Sequence, residues 1–350
     1  MLLNNKEKKT VLDLSRVIFE VSNLCTNHCL YCYNYWKATN EEKPFAMNYS
    51  KAIKTLKRLL KLFPVKKITF TGGEPTLADR LPELVFFAKR HGIWVNLITA
   101  GGGELSQYEN LLYVPPDQFQ LPFHSYDPSI HNIMMGNKNS HKIVKEKINF
   151  LLSKNQKVAV VIILTKLNIN TLEDTLKEIK EMGIRNVLVN RFDPGGTGLK
   201  NIDKLELCPI QLNEAYSLLN EFVSLDFLIH SGINTPHCLL NRKKYPKILF
   251  GGCKIWEGKG PTTVDVDGNL RLCNQSQHII GNIHKQSLSD IESHPIFQDW
   301  QTSIPEECKE CDFFGECRAG CRAAGEQMGL SVYKPDPYMI RFGKNKPVVK

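Results

Sequence analysis

Short runs of β-branched and aromatic residues alternate with amphipathic segments from about residue 16 to residue 230. Such runs predict buried strands, whereas apolar residues three or four positions apart predict helices. The predicted strands are 17–21, 67–71, 94–99, 119–123, 158–164 and 187–192, and the predicted helices are 49–63, 79–91, 143–154, 171–182 and 211–224. Repeated βα units predict an α/β fold, a partial (β/α)6 TIM-like barrel, with its chemistry at the carboxyl ends of the strands.

The pattern changes after residue 230. The segment TTVDVDGNLRLC alternates around Asp267 and Gly268, which predicts a β-hairpin. Cysteines also become frequent in this part of the chain. We therefore expect residues 1–230 to form the barrel and residues 231–350 to form a small cysteine-rich domain, with loop or linker at 229–252.

The composition is that of a folded protein, since 42% of the 350 residues are hydrophobic. No apolar stretch approaches the roughly 18 residues of a membrane span, and the N-terminus lacks the apolar core of a signal peptide. A cytoplasmic protein with no membrane partner is predicted. The net charge of +9 does not favour nucleic acid as a partner, because the lysines are spread along the chain and lack interleaved aromatic residues.

Eleven cysteines are many for a cytoplasmic chain, and metal binding is the usual reason. Three of them, Cys25, Cys29 and Cys32, lie in the segment NLCTNHCLYCYNYW, directly after the first predicted strand. Three thiolates so close together can bind three irons of a [4Fe-4S] cluster and leave the fourth iron open. The alternative is a zinc site that includes His28, although structural zinc usually pairs C-x2-C units across a longer gap.

The spacing C-x3-C-x-aromatic-C resembles the cysteine loop of the radical S-adenosylmethionine (SAM) superfamily, with Tyr31 as the aromatic residue. This resemblance implies that the open iron binds SAM and that an electron passed through the cluster splits SAM into methionine and a 5′-deoxyadenosyl radical. It also implies that Tyr31 lies beside the adenine.

The second predicted strand ends in Gly72, Gly73 and Glu74, followed by proline. On its own this segment predicts a tight turn. After the cysteine loop it resembles the family's GGE motif, which implies that its backbone and glutamate bind the SAM ammonium. By the same resemblance, Ser125 and Asn190 at later strand ends are candidates to contact the SAM ribose and carboxylate, with loop capping as the alternative.

Cysteines recur at regular spacing in the C-terminal part. Fourteen residues separate Cys253 from Gly268, and four more separate Gly268 from Cys273. The segment ECKECDFFGECRAGC then supplies Cys308, Cys311, Cys317 and Cys321. Taken alone, this arrangement is compatible with a zinc ribbon. It resembles the SPASM domain, which binds two auxiliary [4Fe-4S] clusters, and it matches six of the seven cysteine positions of that domain.

The resemblance implies two groups of ligands. Cys253, Cys273 and Cys321, the first auxiliary set, would bind one cluster, and Cys308, Cys311 and Cys317, the second auxiliary set, would bind the other. The family's last cysteine falls where this chain has Asp336-Pro337-Tyr338-Met339. Asp336 is therefore the predicted fourth ligand of the second cluster, with Met339 or an open iron as alternatives. Cys238 is the predicted fourth ligand of the first cluster.

Enzymes that resemble this chain mostly act on peptides, which implies a maturase that forms a carbon–carbon or thioether cross-link, or otherwise oxidises a residue, in a ribosomally made precursor (RiPP). The expected partners are a peptide or protein substrate and a flavodoxin- or ferredoxin-type electron donor. Since about 15 residues precede the first strand, a separate leader-peptide recognition protein is also expected. The alternatives are a sulfatase-maturing (formylglycine-forming) enzyme and a non-catalytic iron–sulfur electron carrier. No catalytic residue is identified.

Overall fold

In the computed structural model, which describes residues 11–38 and 47–343, all six predicted strands are present, and their ends shift by at most one residue. These strands are β1 Arg16–Ser22, β2 Lys67–Gly72, β3 Trp94–Ile98, β4 Gln118–Pro122, β5 Val158–Leu164 and β6 Asn186–Arg191. Neighbours from β1 to β6 pair in parallel and in chain order. The predicted α/β class with a parallel sheet is confirmed.

The same sheet continues beyond the six strands at both ends. It is extended by β7 Leu228–Ser231, β8 Leu249–Phe250, β9 Thr262–Asp265, β10 Asn269–Arg271 and β11 Ile279–Asn282. The full order is β11-β10-β9-β1-β2-β3-β4-β5-β6-β7-β8. β9 pairs in parallel with β1, so the C-terminal hairpin lies against the strand that precedes the first cysteines. Residue 230, the predicted domain boundary, lies inside β7.

Alternation along the strands explains which face carries the core. In β1, Val17, Phe19 and Val21 are buried in the main hydrophobic cluster, and Val187 and Val189 of β6 belong to the same cluster. Successive side chains of a strand point to opposite faces, so the intervening positions face the barrel interior. Several of these interior positions are polar: Glu20, Thr69, Thr71, Asn96, Gln120 and Asn190. The interior therefore offers polar groups below the carboxyl ends of the strands.

Helices cover the outer face. They are α1 Tyr49–Leu62, α2 Leu81–Arg90, α3 Leu105–Leu111, α4 Pro128–Met135, α5 Ser140–Ser153, α6 Leu172–Glu181, α7 Ile202–Leu205 and α8 Pro209–Phe222. The five predicted helices are all present, with ends that differ by up to three residues. α4 begins where the Asp127 side chain accepts a hydrogen bond from Ser129 N–H (2.7 Å) and ends at Gly136, which has a positive φ of 59°.

The C-terminal part consists of the β9–β10 hairpin, β11 and short helices. The predicted turn is confirmed, since Gly268 adopts a φ of +81° between β9 and β10. The helices are α9 Leu288–Glu292, α10 Pro295–Thr302, α11 Phe314–Cys317, α12 Arg322–Gln327 and α13 Pro337–Phe342. A buried ion pair between Glu20 of β1 and Arg271 of β10 fastens this part to the barrel. Within the described residues, no helix is both long and apolar enough to cross a membrane.

Candidate active site

The loop at residues 23–34, here called the cysteine loop, leaves the carboxyl end of β1. It carries Cys25, Cys29 and Cys32. Leu30 N–H donates to the carbonyl of Met134 at the end of α4 (2.9 Å). Gly198 N–H donates to the carbonyl of Cys32 (3.2 Å). Contacts from two other segments therefore fix the loop that presents the three thiols.

The thiols of this loop repel one another when ionised. Burial raises the pKa of Cys29 to about 12, and repulsion from Cys32 and Cys25 adds to this effect. Burial also raises the pKa of Cys32. Burial alone would lower the pKa of Lys37, but the neighbouring thiolates raise it above its usual value. Because thiolates are the ligating form, a bound cation is needed to hold Cys29 and Cys32 deprotonated at neutral pH.

The glycine pair brings the end of β2 against the cysteine loop. A Cβ atom added at Gly72 would lie 2.1 Å from the carbonyl oxygen of Ser22, and one at Gly73 would lie 2.1 Å from that of Leu24. Gly73 N–H donates to Ser22 O (2.8 Å), and the Asn34 amide donates to Gly72 O (3.1 Å). Both glycines are therefore required for backbone contact with the cysteine loop. Their contact with SAM stays a prediction.

Glu74 is fully buried, and its carboxylate is surrounded by donors of the protein itself. The donors are Thr76 N–H (3.1 Å), Thr76 Oγ1 (2.7 Å), Thr99 Oγ1 (2.6 Å), Ala100 N–H (2.7 Å) and Gly102 N–H (3.4 Å). The predicted side-chain contact with the SAM ammonium would compete with these five hydrogen bonds. These hydrogen bonds order the loop after β3, and contact of the Glu74 carboxylate with SAM stays a prediction.

Tyr31 lies in a chain of hydrogen bonds that ends in a buried histidine. Ile163 N–H donates to Nδ1 of His124 (3.2 Å), which leaves the proton on Nε2 and directs it to the Tyr31 hydroxyl (2.6 Å). The Tyr31 hydroxyl donates to Sδ of Met135 (3.0 Å). The rings of Tyr31 and His124 pack edge to face at 4.6 Å. The aromatic residue of the cysteine loop is thus held in one orientation.

His124 belongs to a group of buried, neutral histidines that the sequence did not reveal. His124 N–H donates to Nδ1 of His131 (3.2 Å), and Nε2 of His131 lies 3.3 Å from the Ser140 hydroxyl. Burial lowers the pKa of His124 well below its usual value and lowers that of His131 to about 3. Both rings are therefore neutral in the folded protein and must gain protons when the chain unfolds in acid.

We predict that the folded protein loses stability as the pH falls below 6.5. A histidine whose pKa is lower in the folded state than in the unfolded state favours unfolding once the pH drops below the unfolded pKa. At pH 5.5 each such histidine lowers the free energy of unfolding by about 1.4 kcal/mol. Denaturant unfolding at pH 7.5 and pH 5.5 measures this loss. His131→Asn keeps an acceptor for His124 N–H and should show a loss smaller by one histidine. An equal loss in both proteins would contradict the prediction.

Ser125 and Asn190 lie at the ends of their strands as expected, but both are engaged with the protein. The Ser125 hydroxyl is fully buried and lies 2.9 Å from the hydroxyl of Thr171. The Asn190 carbonyl oxygen accepts hydrogen bonds from Gly232 N–H (2.8 Å) and Ile233 N–H (3.1 Å). These contacts match the capping alternative. Contact of either residue with SAM stays a prediction.

The first auxiliary set is brought together by the fold. Burial raises the pKa of Cys273 to about 12, and repulsion from Glu326 and Cys253 adds to it. Burial likewise raises the pKa of Cys321, with Cys273 among the nearby charges that raise it further. Ser276 N–H donates to the sulfur of Cys273 (3.3 Å). Cysteines separated by up to 68 positions in the sequence are therefore electrostatic neighbours.

The second auxiliary set lines a separate cavity of about 640 Å³. Its lining includes Cys308, Cys311, Cys317, Cys238 and Met339. Burial raises the pKa of Cys308 to about 12, and repulsion from Cys317, Cys311 and Cys238 adds to it. The sequence predicted Cys238 as a ligand of the first cluster. The structure instead places it with the second auxiliary set. Distance along the chain was misleading, because the segment that carries Cys238 is hydrogen-bonded to Cys317.

Asp336, the predicted oxygen ligand of the second cluster, does not line this cavity. It is fully buried, forms an ion pair with Arg191, and accepts hydrogen bonds from Cys321 N–H (2.8 Å) and Tyr338 N–H (2.8 Å). Burial raises the pKa of Asp336 to about 7 against the opposing charge of Arg191. A carboxylate held by these three donors is a structural link between the barrel and α13, which corrects the predicted role.

Family models match both parts of the chain. The radical SAM superfamily model matches residues 19–187, which include the cysteine loop and GGEP. The SPASM model, described as an iron-sulfur cluster-binding domain, matches residues 253–312. Residues 19–187 thus form a radical SAM domain. The chain also carries a SPASM domain, and together these confirm the predicted [4Fe-4S] cluster, SAM and auxiliary iron–sulfur clusters as cofactors.

Known proteins resemble the chain over most of its length. A PqqA peptide cyclase of Bradyrhizobium diazoefficiens is 25% identical and aligns with 88% of this chain and 81% of its own. Streptococcus suis SuiB bound to precursor peptide SuiA superposes with a TM-score of 0.69 at 15% identity, covering 93% of this chain and 76% of SuiB. Native anSMEcpe with bound AdoMet and Cp18Cys peptide gives 0.69 at 18% identity, covering 94% of each chain. The two solved structures confirm the TIM-like radical SAM fold.

The three free thiols of the cysteine loop are the donor type that an iron–sulfur cluster takes. Across the described ranges 11–38 and 47–343, no three His, Cys, Asp or Glu side chains are placed to hold a single metal ion. Zinc binds sulfur at about 2.3 Å and would draw its thiolates onto one point. A cluster instead takes one thiolate at each iron corner, so more widely spaced thiols suit it.

Tyr33 connects the radical SAM site with the first auxiliary set, a link that the sequence did not reveal. Its hydroxyl accepts a hydrogen bond from the Asn274 amide, next to Cys273. Burial raises the pKa of Tyr33, and the nearby Cys32 and Cys273 thiolates raise it further. The Gln327 side chain donates to the carbonyl of Tyr33 (2.8 Å). The sequence signals were the positions of Tyr33 directly after Cys32 and of Asn274 directly after Cys273.

Proposed function

We propose that this radical SAM/SPASM enzyme modifies a ribosomally made precursor peptide by forming a carbon–carbon or thioether cross-link. The proposal is carried by the adjacency of the cysteine loop and the first auxiliary set through Tyr33 and Asn274. The resemblance to a PqqA peptide cyclase over 88% of the chain supports a peptide substrate. A cytoplasmic setting suits eleven cysteines that form no disulfide.

Different residues of the site have different roles. When bound, the cluster and SAM together supply a 5′-deoxyadenosyl radical, which takes a hydrogen atom from the substrate. Cys25, Cys29 and Cys32 would hold the cluster, while Gly73 and Glu74 shape the loop beside it. The buried His124–Tyr31 pair keeps the aromatic ring of the loop in place. The protein's contribution is to orient the reacting groups and to exclude water from them.

A cross-link removes two hydrogen atoms from the peptide. One leaves as a hydrogen atom to the radical, and the other leaves as a proton and an electron when the new bond forms. The electron therefore needs an acceptor close to the radical site. We propose that Cys253, Cys273 and Cys321, beside Tyr33, would hold a cluster able to take up this electron. A flavodoxin- or ferredoxin-type protein would supply the electron that starts the reaction.

The proposal is tested with the reconstituted, reduced enzyme, SAM and the short peptides encoded beside its gene. We expect 5′-deoxyadenosine and a peptide that loses two hydrogen atoms, with the new bond located by fragmentation. Adding a neighbouring leader-recognition protein, which we propose as a partner, should raise the rate. A cysteine peptide of the sulfatase type is the matched control. Its conversion to formylglycine, with no cross-linked precursor, would contradict the proposal, as would the absence of 5′-deoxyadenosine.

A further inference from the structure

The C-terminal segment supplies three of the four protein ligands that a closed cluster takes at the cavity of the second auxiliary set. Three thiols come from the C-terminal segment at positions 308, 311 and 317. Asp336 is turned away into its ion pair with Arg191. Met339 lines the cavity, but a thioether is a neutral and weak ligand for iron in such a cluster. A fourth thiolate must come from elsewhere in the chain if this cluster is fully ligated by cysteine.

Cys238 lies at this cavity although it is 70 positions before Cys308. The segment that carries it is fastened directly to the ligand loop. The Asn234 amide donates to the carbonyl of Cys317 (2.6 Å), and His237 N–H donates to the sulfur of Cys317 (3.4 Å). A turn then follows, in which Leu240 N–H donates to Pro236 O (3.1 Å). The fold thus holds Cys238 against the same cavity as the other three thiols.

We propose that Cys238 is the fourth ligand of the cluster held by Cys308, Cys311 and Cys317. In this arrangement a thiolate from the segment after β7 replaces the final cysteine of the SPASM pattern, and Met339 packs against the cluster without ligating it. The ligand is then contributed by the region that joins the barrel to the C-terminal part. Cluster binding therefore fastens this region to the ligand loop. The proposal does not depend on the identity of the substrate.

His237 is the competing ligand. Its ring lines the same cavity, and its Nε2 is buried without a hydrogen-bond partner among the described residues. Its ring also packs edge to face against Phe313 at 6.1 Å. Cys238 is preferred because a thiolate is the usual ligand of a [4Fe-4S] cluster, whereas histidine ligation is found on particular clusters such as Rieske centres.

The test compares Cys238→Ala with Cys208→Ala in the anaerobically reconstituted full chain. Cys208 lies at the start of α8, outside the cavity. We expect Cys238→Ala to lose about a third of its iron and sulfide, the share of one cluster in three, and to lose one reduced-cluster signal in electron paramagnetic resonance. Cys208→Ala should match the wild type.

A rescue variant separates ligation from a folding defect. In the double variant Cys238→Ala with Met339→Cys, a cysteine returns to the position of the SPASM pattern, so iron content and the lost signal should recover. Wild-type iron and spectra in Cys238→Ala would overturn the proposal. So would the same loss in His237→Ala together with an unchanged Cys238→Ala, or stoichiometric zinc in place of iron. Failure to cross-link a peptide would bear only on the proposed function.

Discussion

Cys29→Ala is expected to abolish SAM cleavage, lowering 5′-deoxyadenosine formation by about 10³-fold or more. Cys29 is the most buried of the three thiols in the cysteine loop and has a pKa of about 12 in the absence of metal. Such a thiol ionises only when iron binds it, so its removal leaves two thiolates for a cluster that needs three. Iron content, visible absorbance and product formation measure the loss.

The control for this variant is Cys208→Ala, which removes a thiol outside all three cysteine groups. It should retain iron and activity. Circular dichroism of Cys29→Ala should remain close to the wild type, because β1 and β2 pair independently of the loop. If Cys29→Ala retained wild-type cleavage of SAM, the cysteine loop would not be the site of the radical SAM cluster, and the central functional assignment would fail.

The barrel could be predicted from sequence because its strands are nearly continuous runs of β-branched residues. β5, with the sequence VAVVIIL, is an example: buried strands of parallel sheets read in this way whatever surrounds them. The short helices were harder to predict from the sequence. α3 buries only Tyr108 and Leu111, which is too few apolar positions to produce a helical period. Its place is set by packing beside Thr99 and not by local pattern.

The cysteine groups could be predicted because their spacing is local, whereas the fourth ligands could not. Cys238 joins the second auxiliary set through contacts of residues 234–237 with Cys317, and these contacts exist only in the folded chain. Asp336 lies in the segment where the family's last cysteine falls but pairs with Arg191 at the end of β6. Side chains that meet across 80 or more residues leave no periodic signal in the sequence.

Glu74 shows the same limit most clearly, since the motif predicts its importance but not what its carboxylate contacts. Glu74→Ala is expected to lower the free energy of unfolding by about 3–5 kcal/mol, because the backbone N–H groups of Thr76 and Ala100 lose a charged, buried acceptor. Glu74→Gln should cost about 1–2 kcal/mol. Its amide can accept from Ala100 N–H while donating to the Thr99 hydroxyl, and only Thr76 N–H is left unpaired.

The pair of variants distinguishes a positioning role from direct binding of SAM. If the carboxylate positions the loop after β3, Glu74→Gln lowers the free energy of unfolding measured in denaturant. SAM affinity then changes only in proportion to that loss. A direct contact with the SAM ammonium would produce the opposite pattern, with wild-type stability and strongly weakened SAM binding in Glu74→Gln. Thr99→Val is the matched control. It removes one hydrogen-bond donor to Oε1 of Glu74, and the side chain at position 99 carries no charge that could contact the SAM ammonium. Because the five donors already surround this carboxylate, we expect Glu74→Gln to lower the free energy of unfolding and not to weaken SAM binding strongly.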